Sequence, residues 1–91
     1  MTIRYTKQFL SKLEDLFAES DYSLRYEKGR FKSGYCVLND HQVAIVNKYY
    51  PTEGKISALI DILKDIKIDN SNLSEKNRNL LRELSQIEIK L

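Results

Sequence analysis

Apolar and polar positions along the chain follow two different periods. Phe9, Leu10, Leu13, Leu16 and Phe17 recur at helical spacing. Thr6 stands before them and supplies a side-chain oxygen for the first unpaired helix amides. The spacing predicts an amphipathic helix over Lys7–Glu19, with Lys12, Glu14, Asp15 and Glu19 largely off the apolar face and Ser20 and Asp21 ending it. At Tyr22 the period changes to two. Tyr22, Leu24 and Tyr26 alternate with Ser23, Arg25 and Glu27, the pattern of a half-buried strand. Lys28 and Gly29 read as a two-residue turn, because glycine accepts positive φ. A second strand follows over 30–38, with Gly34 inside it marking a bulge or a close backbone approach. Asn39, Asp40, His41 and Gln42 are turn formers and read as the next loop. Val43, Ala44, Ile45 and Val46 make the third strand, and their unbroken apolar character implies burial on both faces or pairing close to the core.

Helical spacing returns after Pro51. Thr52 reads as the cap of a second helix over 53–67, with Ile56, Leu59, Ile60, Leu63 and Ile66 on its buried stripe and Ile62 widening it. Residues 69–72 are a polar loop. Ser74 caps a third helix, Glu75–Glu88, whose apolar face holds Leu80, Leu81, Leu84 and Ile87. The expected fold is a single α+β domain of order α-β-β-β-α-α. Its sheet, over 22–48, is a three-stranded antiparallel meander in the order 1-2-3, since short loops favour neighbouring strands. The first two helices cover one sheet face. The third packs either on its own domain or on a partner, including a second copy of the chain.

Composition narrows the classes of function. Ninety-one residues make one small domain, burying roughly 60–65% of the surface its unfolded chain exposes. Hydrophobic residues at 42% and a net charge of +2 are those of an ordered globular chain. One cysteine excludes an internal disulfide, which fits a reducing compartment. No apolar run reaches the ~18 residues of a membrane span, and the N-terminus lacks the pattern of a signal peptide. The expectation is a cytoplasmic protein that does not engage membranes.

Motifs that carry chemistry are sparse. There is no phosphate-cradling glycine loop and no calcium-loop spacing. Cys36 and His41 are the pair to consider for a thiolate–imidazole nucleophile. Cys36 sits mid-strand and His41 in the following turn, too far apart if the strand stays extended. One histidine and one cysteine do not close a zinc site without carboxylate help. Asp61 and Asp65 share a helix face with Lys64 beside them, the signature of a solvated surface. The reading is therefore a non-catalytic protein with no cofactor and no metal.

Charge singles out one region. Residues 22–50 hold five basic and two acidic side chains, whereas the remainder holds ten basic and eleven acidic. Arg25, Lys28, Arg30 and Lys32, interleaved with Tyr26, Phe31 and Tyr35, are candidates for a nucleic-acid surface, in which aromatic rings stack on bases and cations follow phosphates. That function requires rings and cations on one exposed face. In a regular strand Arg25 is opposite in parity to Tyr26, and Lys32 to Phe31 and Tyr35, which argues against it. Tyrosines suit partly covered surfaces and interfaces. Tyr35, Tyr49 and Tyr50, with Leu80, Leu84 and Ile87 of the third helix, are the candidates for contact with a protein partner or with the chain itself.

Phe31, Lys32, Ser33, Gly34, Tyr35, Cys36, Val37 and Leu38, followed by Val46, Asn47 and Lys48 and then by the apolar stretch 56–63, resemble a family of short uncharacterised bacterial proteins. The resemblance spans about 24–66 and implies a fold without an activity. A hairpin followed by an apolar helix is also similar to the core of small zinc peptidases of the toxin–antitoxin regulator type, in which that helix carries His-Glu-x-x-His. The matching positions here read Ile60, Asp61 and Lys64. This second resemblance implies a degenerate enzyme fold that has lost its metal site. Non-catalytic protein contact is the leading reading; nucleic-acid binding and a degenerate enzyme are the alternatives.

Overall fold

A computed structural model describes residues 4–29, 34–38 and 41–88 of the chain. Among these, three helices and three strands follow one another as α1 (Lys7–Glu19), β1 (Tyr22–Glu27), β2 (Gly34–Leu38), β3 (His41–Asn47), α2 (Thr52–Asp65) and α3 (Glu75–Glu88), with a short 3-10 turn at Asn70–Asn72 before α3. Thr6 caps α1 by accepting from the Phe9 amide at 3.1 Å. The N-terminus of α2 differs from expectation. Pro51 is the cap and Thr52 already belongs to the helix, with no side chain accepting from its first turn. A proline preset to extended backbone at the boundary suffices to start the helix there.

The sheet is not an antiparallel meander. Its order is β1-β3-β2, with β1 parallel and β2 antiparallel to β3. Leu24 pairs with Ala44 and Tyr26 with Val46 in the parallel ladder, whereas Tyr35 pairs with Ala44 and Cys36 with Val43 in the antiparallel one. Two physical reasons account for the change. First, β3 holds the unbroken aliphatic run Val43, Ala44, Ile45 and Val46, and the central position covers it from both sides. Second, Gly29 at φ 152° ends β1 rather than building a tight hairpin. With β1 and β2 on opposite edges, no two-residue turn can join them. His41 also moves out of the expected loop, being the first residue of β3 and paired with Leu38.

Helix packing closes the core on one face of the sheet. Phe17, Leu13 and Leu16 of α1, Ile56 and Leu59 of α2 and Val46 of β3 are fully buried, and Tyr22 and Ala44 join the same cluster. Val43 is also buried but stands outside that cluster. It belongs to the opposite face of the strand, where Ser23 and Arg25 of β1 are exposed. Leu73, Leu80 and Leu84 extend the core towards α3. The third helix therefore docks on its own chain, and a polar clasp holds it. Asn77, only 1% exposed, donates to Asp15 at 3.2 Å and to Glu19 at 2.8 Å. The Ser74 amide donates to the same Glu19 oxygen at 2.8 Å, and Lys76 lies 3.3 Å from Asp15.

Candidate functional site

The site follows from the place of β1 at the edge of the sheet. The Lys48 amide donates to the Glu27 carbonyl at 2.8 Å, so the backbone groups of Glu27 point at β3. By the two-residue alternation of a strand, those of Arg25 and Ser23 do the same, and those of Tyr22, Leu24 and Tyr26 point away from the sheet. The first outward position is closed by the chain itself. Ser20 Oγ accepts from the Tyr22 amide at 3.0 Å and lies 3.3 Å from the Tyr22 carbonyl. At Leu24 and Tyr26, among the described residues, no hydrogen-bond partner meets the outward backbone groups.

Beside this edge, α1 and β1 enclose an open groove of about 580 Å³. Glu14 and Ala18 line it from α1, and Ser20, Asp21, Leu24 and Tyr26 from the bend and the strand. Leu24 and Tyr26 are half-buried on the helix-facing side of the sheet. The Tyr26 hydroxyl donates to Glu14 Oε2 at 2.5 Å, and Lys55 Nζ of α2 lies 5.1 Å from its ring centroid. One tyrosine thus ties β1 to α1 and α2 and shapes one end of the groove. Burial, then the hydrogen bond to the neighbouring carboxylate, push the Tyr26 phenol well above its ordinary pKa. At the other end stands the exposed carboxylate of Asp21. Among the described residues, the lining has carboxylates at both ends, apolar surface from Ala18 and Leu24 between them, and no cation.

The structure disperses the residues proposed from sequence. Arg25 is exposed beside β3 but paired with Glu27 at 2.8 Å. Lys28 is exposed after the strand. Arg30, Lys32 and Phe31 lie outside the described residues. Tyr26 faces the helices, away from the side of Arg25. Tyr35 belongs to β2 and Ile87 to α3. Tyr49 is 69% exposed, and Tyr50 is partly buried against the core. Leu80 and Leu84 are buried by their own chain, so neither belongs to a free surface.

The register brings one pair of chemistry candidates nearer than an extended strand implies: Cys36 pairs with Val43 and His41 with Leu38, so the two hold diagonal positions across the β2–β3 ladder. Ile60 is buried, and Asp61 and Lys64 are exposed on α2. Among the described residues, no group of three histidine, cysteine or acidic side chains could hold a metal. Asp69 is occupied by its own loop, accepting from the Ser71 amide and hydroxyl at 3.0 and 2.7 Å, and these bonds lower its pKa. Among the described residues no helix is long and apolar enough to cross a membrane.

Glu14, Ala18 and Asp21 were not foreseeable as a set. Each reads in sequence as part of a solvated helix face or a bend. Only the parity of Leu24 with Tyr26 hinted at a common surface. Comparison with family models, with curated proteins and with solved structures finds no match for this chain.

Proposed function

We propose that this chain is a non-catalytic interaction domain of the cytoplasm that binds a protein partner by adding an extended segment to the free edge of β1. The observation that carries the reading is the pair of outward backbone positions at Leu24 and Tyr26, beside an open groove. An edge strand with unmet amides and carbonyls is a template for another strand, and soluble domains use it to hold extended peptides through main-chain hydrogen bonds. The single cysteine supports a reducing compartment. The test is a selection from a random peptide library followed by amide exchange on the complex. Selected peptides should slow exchange at the Leu24 and Tyr26 amides while leaving α3 unchanged. Selected peptides that leave both amides fast would overturn the edge as the contact surface.

Nucleic-acid binding through Arg25 and Lys28 has less support. Arg25 has Glu27 as its partner, and the one described aromatic neighbour, Tyr26, is committed to Glu14 on the other side of the strand. Stacking needs rings and cations on a common exposed surface. Binding of short single-stranded DNA or RNA that weakens steeply with salt would restore this reading.

A further inference from the structure

We propose that the groove between α1 and β1 selects an extended peptide with the pattern basic–x–apolar–x–basic, its two cations meeting Asp21 and Glu14. The inference rests on the edge-binding reading and adds the chemistry of the partner. A strand laid against β1 would pair with the outward backbone groups of Leu24 and Tyr26. Its alternate side chains would then point to the same face as Leu24 and Tyr26, which is the groove face. The residue opposite Leu24 meets the apolar surface of Leu24 and Ala18. The residues two before and two after it fall beside the two ends of the groove, roughly 13 Å apart by the ~3.3 Å rise of a strand.

Those ends are both acidic. Glu14 uses Oε2 to accept from Tyr26, and Oε1 remains available to a lysine or arginine without breaking that bond. Asp21 is exposed at the bend after Ser20. Among the described residues, no lysine or arginine lines the groove to neutralise either one. Acidic ends, an apolar middle and main-chain partners form a complementary template for this pattern and a repulsive one for its acidic counterpart. The pattern reads the same in both directions, so it holds for a parallel or an antiparallel partner strand.

Two capped peptides centred on Lys-Thr-Val-Thr-Lys and Glu-Thr-Val-Thr-Glu, with a Ser-Thr-Val-Thr-Ser control, separate the two levels of the proposal by nuclear magnetic resonance titration of the full chain up to millimolar peptide. The lysine peptide should bind about five-fold or more tightly than the serine control at low salt, with the advantage shrinking by 0.5 M salt, as exposed charge pairs do. Glu14→Gln keeps an acceptor for Tyr26, and together with Asp21→Asn it should erase most of that preference. Equal binding of all three peptides, with protection at Leu24 and Tyr26, would overturn the charge pattern and leave the edge reading standing. No binding by any of them overturns the pattern as well. Concentration-dependent protection of Leu24 and Tyr26 without peptide would identify a second copy of the chain as the occupant instead, and would also overturn it.

Discussion

Asn47 Nδ2 donates to the Gly29 carbonyl at 2.8 Å, joining the end of the third strand to the second residue after the first. Asn47 is the last residue of β3 and 6% exposed, and its side-chain oxygen accepts from the Tyr49 amide at 3.0 Å. Its carbonyl also accepts from the Tyr50 amide. One side chain thus fixes where the parallel pair ends and how the chain turns towards α2. Replacing Asn47 by Ala removes both side-chain bonds and leaves the half-buried Gly29 carbonyl without this donor, at a cost of about 1–3 kcal/mol. Urea unfolding should show the midpoint fall with little change in slope. A variant as stable as the parent would remove Asn47 from this role. Gly29→Ala should also destabilise, because φ 152° is strained for any residue with a Cβ.

The contact between Tyr26 and Glu14 has a consequence at high pH. The phenol has a folded pKa raised above its ordinary value near 10. The unfolded chain therefore loses this proton first as pH rises. The stability contributed by the neutral phenol is complete below about pH 10 and declines above it, towards the raised folded value. Ultraviolet titration of the folded protein should show one tyrosine ionising later than the rest. Tyr26→Phe should abolish that late step and lower stability by about 1 kcal/mol, the net value of a typical hydrogen bond.

The clasp on α3 responds to acid in the opposite sense. Hydrogen bonds from Asn77 and then Lys76 lower the pKa of Asp15, and those from the Ser74 amide and then Asn77 lower that of Glu19. Their contribution to docking is present above the ordinary carboxylate range and is lost as pH falls through the lowered folded values. Amide exchange in α3 should accelerate below about pH 4 before that of β3 does. Asn77→Ala should produce the same local loosening at neutral pH, costing about 1–3 kcal/mol because Asn77 is buried. Equal exchange rates in α3 and β3 at every pH would mean that the helix does not detach separately.

Packing of α2 predicts the largest single loss of stability. Leu59 is fully buried where α1, α2 and the sheet meet. Leu59→Ala should cost about 2–5 kcal/mol, the range for emptying a leucine site in a closed core. For a chain this small that is a large share of the ~5–15 kcal/mol that holds a domain together. Thermal unfolding of the variant should begin tens of degrees lower, or the variant should not fold.

By itself, the sequence determined the elements whose rules are local. Thr6 and the spacing from Phe9 to Phe17 define α1 within a few turns of chain, and Ser74 with Leu80 and Leu84 does the same for α3. The alternation from Tyr22 to Glu27 shows which side of β1 is buried, since adjacent side chains in a strand must point apart. Strand pairing is a different matter. Short loops favour neighbours, yet the competition for the centre of the sheet is decided by how much apolar surface each strand can cover with all the others in place. That total is not written in any one segment, and it puts β3 between β1 and β2. The groove depends on the same choice. Glu14 and Tyr26 are twelve residues apart on elements of different period, and only the packing of α1 against an edge strand brings the carboxylate and the phenol together beside open backbone groups.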